Sequence, residues 1–400
     1  MNKKISLGLC LSLIVLSVTA TFAITMSFSK QIYNGIISNL SQRSHSYESA
    51  EEINRLISNY FYGDLAGYNN NLGASVSEGY VNGLNDESSY YMTSDDYTAY
   101  LQRVESGTVG IGIETLFDYT KNQLVITYVY EGSSAESEGL QEGDVITAVG
   151  GTAVTRANYV SIQKYFTGNK MTSVQIEYLR NKKTKVVQPI SSFDIPSIIS
   201  DEINGVGYVR IKSFYKNTAT ELKDKLTEFK NDGVEAVVID LRNTSDGTMP
   251  YAAKTLDVIL PTINGGNIAI AKDKNGKTRE TFTADNSSFS MSFAVLVNGN
   301  TRGPAELFAC DMRDVKQAKI LGTLTAGVGT MQEVFTLADG SAICLTTALI
   351  IPKAGENAVY DGIGIIPDMD VTIGIEDANI DLLSEDQDTQ LNAAINMLSQ

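Results

Sequence analysis

Apolar strands alternate with amphipathic helices from Gly205 onward, and this alternation restricts the fold more than any other feature of the sequence. The strand segments are apolar runs, which is typical of strands whose two faces are both covered. Strand–helix–strand units of this kind place their strands parallel, with helices packed on the sheet. The predicted elements are a strand at Gly205–Phe214, a helix at Ala219–Lys230, a strand at Ala236–Leu241 and a helix at Tyr251–Val258.

The same alternation continues into a stretch where a reaction centre would fit. A strand at Ala294–Val297 leads through a turn of small residues to a helix at Ala305–Asp314, and a short strand at Lys319–Leu321 ends in a glycine-rich loop. A nucleophile in that turn would lie at a helix N-terminus, where free N–H groups and the helix dipole stabilise a developing negative charge. A base on the glycine-rich loop could reach it.

The order of these parts resembles the carboxyl-terminal processing, or tail-specific, serine peptidases. The family pattern is Val-Asn, two small residues and Ser-Ala-Ser-Ala-Ser-Glu-Ile, followed by Gly-Glu-x-Thr-x-Gly-Lys-Gly-x-x-Gln. This chain has VNGNTRGPAEL from Val297 and GTLTAGVGTMQ from Gly322. By this resemblance the nucleophilic serine falls on Gly303 and the general-base lysine on Val328. The glutamine that orients the lysine is retained as Gln332.

The resemblance implies a catalytic apparatus that this sequence lacks. A Ser/Lys dyad needs a hydroxyl and an amine with a lowered pKa, and Gly303 and Val328 supply neither. The family's oxyanion hole would use the N–H of the residue after the serine, here Pro304, which has none. Its other donor lies in a Gly-Gly turn, where Asp246 and Gly247 now stand. The sequence predicts no intact catalytic residue.

A second resemblance covers the middle of the chain, which is similar to the PDZ domain inserted in these peptidases. The segment SAESEGLQEGDVI from Ser134 matches the domain's Ala-x-x-x-Gly-Leu-x-x-Gly-Asp-x-Ile turn. The resemblance implies that a peptide's terminal carboxylate binds the backbone N–H groups of one loop, and that the following strand accepts the peptide as an added strand. A helix at Asn158–Phe166 would wall the groove. The loop residues are Gly110, Ile111, Gly112 and Ile113. A PDZ domain that serves packing alone is the alternative.

The predicted fold class is a multidomain chain of α+β and α/β type. It combines an N-terminal membrane anchor, a small helical subdomain, a β-sandwich-like PDZ domain and a ClpP/crotonase-like α/β peptidase core. The predicted segments are a signal anchor at 1–30, a stalk and helical subdomain at 31–107, the PDZ domain at 108–190, the peptidase-like core at 191–375 and a C-terminal helix at 376–400.

The N-terminal segment predicts the location of the protein. No charged residue lies between Lys4 and Lys30, and Ile5–Phe28 is long enough to cross a bilayer as a helix. Lys3 and Lys4 precede it, which favours a single-pass protein of the cell membrane with its bulk outside the cytoplasm. A cleaved signal peptide and secretion are the alternative. The net charge of -16 argues against a nucleic-acid partner.

Other reaction centres find little support in the sequence. A lone histidine, His45, makes a Ser-His-Asp triad or a His-rich metal site implausible, and we expect no metal and no cofactor. Three cysteines do not make a disulfide framework. Cys310 is an alternative nucleophile without a nearby histidine. Thr301 is the hydroxyl nearest to the predicted nucleophile position in the turn, and threonine at such a position commonly stabilises the turn itself.

These observations favour a peptidase homologue that binds protein C-termini through its PDZ domain without cutting them, in a regulatory or scaffold role. Its expected partners are unstructured C-terminal tails, and an active peptidase relative or another exported protein are further candidates. The alternative is an active serine-type endopeptidase that cleaves exported proteins near their C-termini. A structural partner with neither activity is a third interpretation.

Overall fold

The structure, a computed structural model, describes residues 48–62, 69–118, 121–168, 171–261, 267–284, 289–373, 380, 383 and 387–399. The predicted anchor and stalk up to residue 47 lie outside this range. Within it, no helix is both long and apolar enough to cross a membrane. The chain divides into two compact units, Met1–Val76 and Ser77–Gln400. The first contains helix α1 at 48–60 and the start of helix α2, Asn69–Asn82.

The second unit begins with the rest of α2, followed by a short strand and a helix, and continues into a mainly antiparallel domain. Its first elements are β1 (Tyr90–Met92), α3 (Ser94–Ser106), β2 (Thr108–Gly110), β3 (Ile113–Asp118), β4 (Gln123–Val129), α4 (Ser134–Ser137), β5 (Val145–Val149), β6 (Thr152–Ala153), α5 (Tyr159–Gln163), β7 (Ile176–Arg180), β8 (Lys183–Val187) and β9 (Phe193–Ile195).

The rest of the unit alternates strands and helices. Its elements are β10 (Ile198–Ile203), β11 (Val206–Ile211), β12 (Ser213–Phe214), α6 (Thr218–Asn231), β13 (Ala236–Asp240), β14 (Asp246–Gly247), α7 (Met249–Ile259), β15 (Asn267–Lys272), β16 (Thr278–Thr283), β17 (Ser292–Val297), α8 (Pro304–Asp314), β18 (Lys319–Gly322), β19 (Thr330–Thr336), β20 (Ala342–Pro352), β21 (Met369–Asp370) and α9 (Thr389–Leu398).

The central sheet has the strand order β10-β11-β13-β17-β18-β21. From β11 to β21 neighbouring strands are parallel, as the sequence predicts, and only the edge strand β10 is antiparallel to its neighbour. Residues of β13 alternate between two cores: Val237 and Ile239 pack with helices α6, α7 and α8, while Val238 packs with α9. Both faces are therefore covered, which explains why these strands are apolar throughout.

A second, antiparallel sheet has the order β1-β20-β15-β16, with β19 also paired to β20. The sequence predicts only part of it, since the predicted strand Ala342–Leu345 is the first third of the observed β20. Strands β16 and β19 escape prediction because most residues of each strand are polar, although those of β16 are mostly exposed and those of β19 mostly half-buried. Pairing of β19 with β20 fixes the far end of the glycine-rich loop, which places that loop against the start of α8.

The PDZ-like domain forms a sheet in the order β3-β4-β5-β7-β8, with β6 paired to β5. Strands β2 and β9 pair with each other, so the chain enters and leaves the domain side by side. Helix α5 spans Tyr159–Gln163 and is shorter than the predicted Asn158–Phe166, because the chain turns after Gln163 and the Phe166 carbonyl bonds outside the helix, to Ile111. Strand β3 lies at the edge of the sheet, next to α5.

A buried ion cluster anchors the C-terminal helix to the central sheet. The Arg242 side chain is only 2% exposed and donates to both carboxylate oxygens of Asp240 and of Asp388. Asp388 also caps α9 by accepting from the Leu391 N–H at 2.9 Å. Because Asp240 is the last residue of β13 and Arg242 lies two residues further on, the cluster holds the end of the strand that leads into the turn at Gly247.

Candidate active site

The turn between β17 and α8 is held in a conformation that suits glycine. Gly303 has φ 60° and ψ -117°, a region that residues with a side chain rarely adopt. Gly303 precedes Pro304, the first residue of helix α8. The turn is therefore a sharp bend from strand to helix at Gly303, called the elbow below. A Cβ placed on Gly303 would meet no atom within 4 Å. The elbow therefore faces open space at the place where a nucleophile would project.

The Glu306 carboxylate joins this elbow to the glycine-rich loop. The oxygen Oε2 accepts from the Gly303 N–H at 3.0 Å and from the Val328 N–H at 2.7 Å. The other oxygen accepts from the Gly327 N–H at 2.7 Å and from the Thr325 hydroxyl. Glu306 is fully buried. One carboxylate oxygen thus holds the positions of the family nucleophile and base side by side.

The residues that match the family's catalytic positions line one cleft of about 280 Å³. Sequence reasoning named five of them from three separate segments, and the structure brings all five together. They are Gly247, Gly303, Pro304, Val328 and Gln332.

Gln332 has taken other partners in the absence of a lysine. Its Nε2 donates to the Thr330 hydroxyl at 2.9 Å and lies 3.5 Å from the Thr346 hydroxyl oxygen. Val328 offers only an aliphatic side chain to the cleft. No lysine or histidine occurs among the described residues that line it, so this part of the chain supplies no amine or imidazole to act as a general base there.

The second oxyanion turn is occupied by the chain itself. The Gly247 N–H donates to Asp246 Oδ1 at 2.9 Å, and the other oxygen of Asp246 accepts from the Tyr215 hydroxyl. Burial, followed by the charge of Asp246, raises the pKa of Tyr215, so its hydroxyl stays a donor. A carboxylate therefore stands beside the donor that an oxyanion would need, and Pro304 supplies no second one.

The alternative nucleophiles named from the sequence lie away from the cleft. Thr301 is fully buried, and its hydroxyl donates to the Leu241 carbonyl at 2.8 Å while accepting from the Asn298 N–H at 3.0 Å. Cys310 is also buried, and burial, followed by the charge of Asp311, raises the pKa of its thiol. Both side chains are therefore buried in the fold and do not line the cleft.

Several residues of the cleft could not be found by sequence reasoning. Cys344 lines it from β20, and burial raises the pKa of its thiol. Tyr90, Tyr100 and Arg103 reach it from β1 and α3, and Arg302 lies next to the elbow. Tyr100 and Arg103 come from a segment some 200 residues before the elbow, and no motif in that segment marks them.

The loop predicted to bind a carboxylate lies at the edge of the PDZ-like domain. The Ile111 N–H donates to the Phe166 carbonyl at 3.0 Å, and Ile111 and Ile113 are buried in the domain core. Packing requires both glycines of the loop. A Cβ on Gly110 would lie 2.5 Å from the Phe166 oxygen, and one on Gly112 would lie 2.2 Å from the Ser133 Cβ.

Together these features define the class of protein. A sharp elbow between a parallel strand and a helix that faces a glycine-rich loop is typical of a serine-peptidase core, here joined to a separate antiparallel domain whose edge strand lies beside helix α5.

Comparison with known protein families gives two matches. Residues 205–371 match the model for peptidase family S41, and residues 125–180 match that for the PDZ domain. The chain is therefore similar to peptidase family S41 over residues 205–371, and the segment similar to the PDZ domain lies ahead of that region. This confirms the resemblance drawn from the sequence.

Individual relatives agree with this assignment. The chain is 29% identical to a "Probable CtpA-like serine protease" of Staphylococcus haemolyticus over 90% of this chain and 71% of that protein. It is 28% identical to a protein of the same name from Staphylococcus aureus strain N315, over 75% of this chain and 60% of the relative. The crystal structure of a candidate S41 protease from Bacteroides fragilis has the same fold, with a TM-score of 0.54 and 19% identity over 80% of this chain and 90% of that one.

Proposed function

We propose that this chain binds unstructured C-terminal tails of other proteins without cutting them. The observation that carries the proposal is the cleft in which Gly303 and Val328 stand side by side where a nucleophile and a base would be needed. The surrounding scaffold is kept: the elbow, the buried carboxylate and the retained Gln332 all remain. A fold that preserves the peptide-sized cleft but not its reactive groups suits binding better than hydrolysis.

The oxyanion turn adds independent support. Removal of one oxyanion donor typically lowers kcat by about a hundred- to a thousandfold. Here Pro304 removes one donor, and the Asp246 carboxylate occupies the other and would repel a negative charge. Even a hydroxyl recruited from elsewhere in the cleft would therefore meet an unfavourable site.

Within this proposal the PDZ domain captures the tail. The loop Gly110–Ile113 would receive the terminal carboxylate, and the edge strand β3 would receive the peptide backbone. An active peptidase relative or another exported protein is a further candidate partner. The apolar N-terminal segment supports a membrane-anchored protein whose bulk lies outside the cytoplasm, or a secreted one if the segment is cleaved.

The alternative is an active serine-type endopeptidase. It is favoured by the name of the Staphylococcus relatives, which are described as serine proteases. The candidate hydroxyls that line the cleft are Ser88, Ser245 and Thr248. Among the described lining residues the groups that could exchange a proton with them are carboxylates, two tyrosines and Cys344, and none of these is a desolvated lysine of the kind that activates a hydroxyl.

The experiment uses the full-length chain and a fluorescent, unstructured peptide with an apolar C-terminal residue. Anisotropy measures binding, and mass spectrometry of the same sample measures cleavage. We expect binding that weakens when the peptide carboxylate is amidated, with the peptide intact throughout. Fragments that disappear in Ser245→Ala or Thr248→Ala would favour the endopeptidase, and no binding of either peptide would favour the structural-partner interpretation.

A further inference from the structure

The edge strand β3 pairs only with β4 within its sheet, and its other side, on which a peptide could add, faces helix α5. Neighbouring strands in a sheet lie about 4.8 Å apart, so an added peptide would need this much room between β3 and the helix. It would also need the outward carbonyls of β3 as acceptors for its own N–H groups.

One such carbonyl is already occupied by the chain itself. Gln163, the last residue of α5, donates from Nε2 to the Thr115 backbone oxygen at 3.0 Å and lies 3.1 Å from the Thr115 hydroxyl. The Gln163 carboxamide therefore stands where the amide of an incoming peptide would stand. It makes the hydrogen bond that the peptide would make.

Two further contacts join the segment 159–166 to β3 and its preceding loop, one on either side of this bond. Toward the far end, the rings of Phe117 and Tyr159 stack with centroids 4.5 Å apart. Toward the carboxylate loop, the Ile111 N–H donates to the Phe166 carbonyl at 3.0 Å. The segment 159–166 thus contacts β3 and its preceding loop at three points.

We infer that the PDZ groove is closed by its own helix, with Gln163 competing against the incoming peptide for the Thr115 carbonyl. The inference rests on the proposed tail binding. Peptide binding then requires α5 to move away from β3. The apparent dissociation constant equals the intrinsic one divided by the fraction of molecules whose groove is open, so closure weakens binding. A neutral hydrogen bond of this kind accounts for about a two- to tenfold reduction in affinity.

The test compares Gln163→Ala, which removes the donor, with Ser161→Ala, an exposed residue of the same helix. Gln163→Met serves as a second variant, because it keeps the aliphatic stem and loses only the donor. Hydrogen–deuterium exchange of the Ile111 amide reports opening without any peptide. Anisotropy with an unstructured peptide carrying an apolar C-terminal residue reports binding by the same full-length proteins.

Both Gln163 variants should exchange the Ile111 amide about two- to tenfold faster than wild type, and Gln163→Ala should bind the peptide tighter by a similar factor. Ser161→Ala should match wild type in both assays. Unchanged exchange in the Gln163 variants would overturn the closing contact, and faster exchange with unchanged or weaker binding would overturn the competition. Faster exchange with no binding by any protein would uphold the closing contact and overturn tail binding, so the two failures are distinguishable.

Discussion

Replacing Glu306 by glutamine should destabilise the protein strongly, because its carboxylate holds the two walls of the cleft together. Each carboxylate oxygen accepts two hydrogen bonds, one pair from Gly303 and Val328 and the other from Thr325 and Gly327. A glutamine keeps only one acceptor oxygen. Whichever way the amide turns, two donors lose their acceptor in a fully buried site.

The magnitude follows from the number of bonds lost. A hydrogen bond to a charged group contributes about 1.5–3 kcal/mol, so the loss of two predicts a free energy of unfolding lower by about 3–6 kcal/mol. A domain of ordinary stability, about 5–15 kcal/mol, would be left marginal. Urea denaturation followed by circular dichroism measures the difference between Glu306→Gln and wild type.

The matched control makes the same chemical change at the surface. Glu356 pairs with Lys272, but its side chain is 74% exposed, so Glu356→Gln should change the free energy of unfolding by less than about 1 kcal/mol. If Glu306→Gln cost no more than this control, the carboxylate would not be what joins the elbow to the glycine-rich loop, and our explanation of the cleft geometry would be wrong.

Three further predictions concern catalysis, pH and the ion cluster. The double variant Gly303→Ser with Val328→Lys should stay at least about a hundredfold less active in peptide hydrolysis than the same protein carrying Pro304→Ala as well, since only the latter regains an oxyanion N–H; equal rates would show that the oxyanion hole lies elsewhere. Burial raises the pKa of Asp311 to about 8, so the folded protein favours the neutral carboxyl. The stability that this neutral form contributes is complete below the pKa that Asp311 has in the unfolded chain, and it is lost as the pH rises toward 8. Between pH 5 and pH 7 the free energy of unfolding of Asp311→Asn, measured by urea denaturation, should therefore rise by about 2–3 kcal/mol relative to that of wild type. A difference between the two proteins that does not change with pH would contradict this. Arg242→Met leaves two buried carboxylates without their cation and should lower the free energy of unfolding by about 3–5 kcal/mol, whereas a change below 1 kcal/mol would show that the cluster does not anchor α9.

The sequence predicts the central sheet well because its signals are local. The apolar runs that become β13 and β17 are readable without knowing their neighbours, and the parallel pairing follows from the intervening helices. The same holds for the cleft positions Gly303 and Val328, which follow from one gapless match to a family pattern. Their proximity in space could be expected, because both lie at the carboxyl ends of adjacent parallel strands.

The remaining features depend on contacts between distant segments. Nothing in the sequence around Gln163 indicates that its side chain reaches Thr115, 48 residues earlier. The Asp246 carboxylate is visible as a departure from the family's glycine turn, but its bonds to Gly247 and Tyr215 are not. The structural role of Thr301 likewise follows only from its hydrogen bond to the carbonyl of Leu241, 60 residues before it.

The central claim is that the cleft contains no reactive hydroxyl. Its most direct test is labelling of the full-length chain with a fluorophosphonate probe, followed by mass spectrometric mapping of any adduct. Our account predicts that no residue lining the cleft is labelled under conditions where an active serine peptidase in the same sample is labelled fully. An adduct on Ser88, Ser245 or Thr248 that forms at a comparable rate would contradict it.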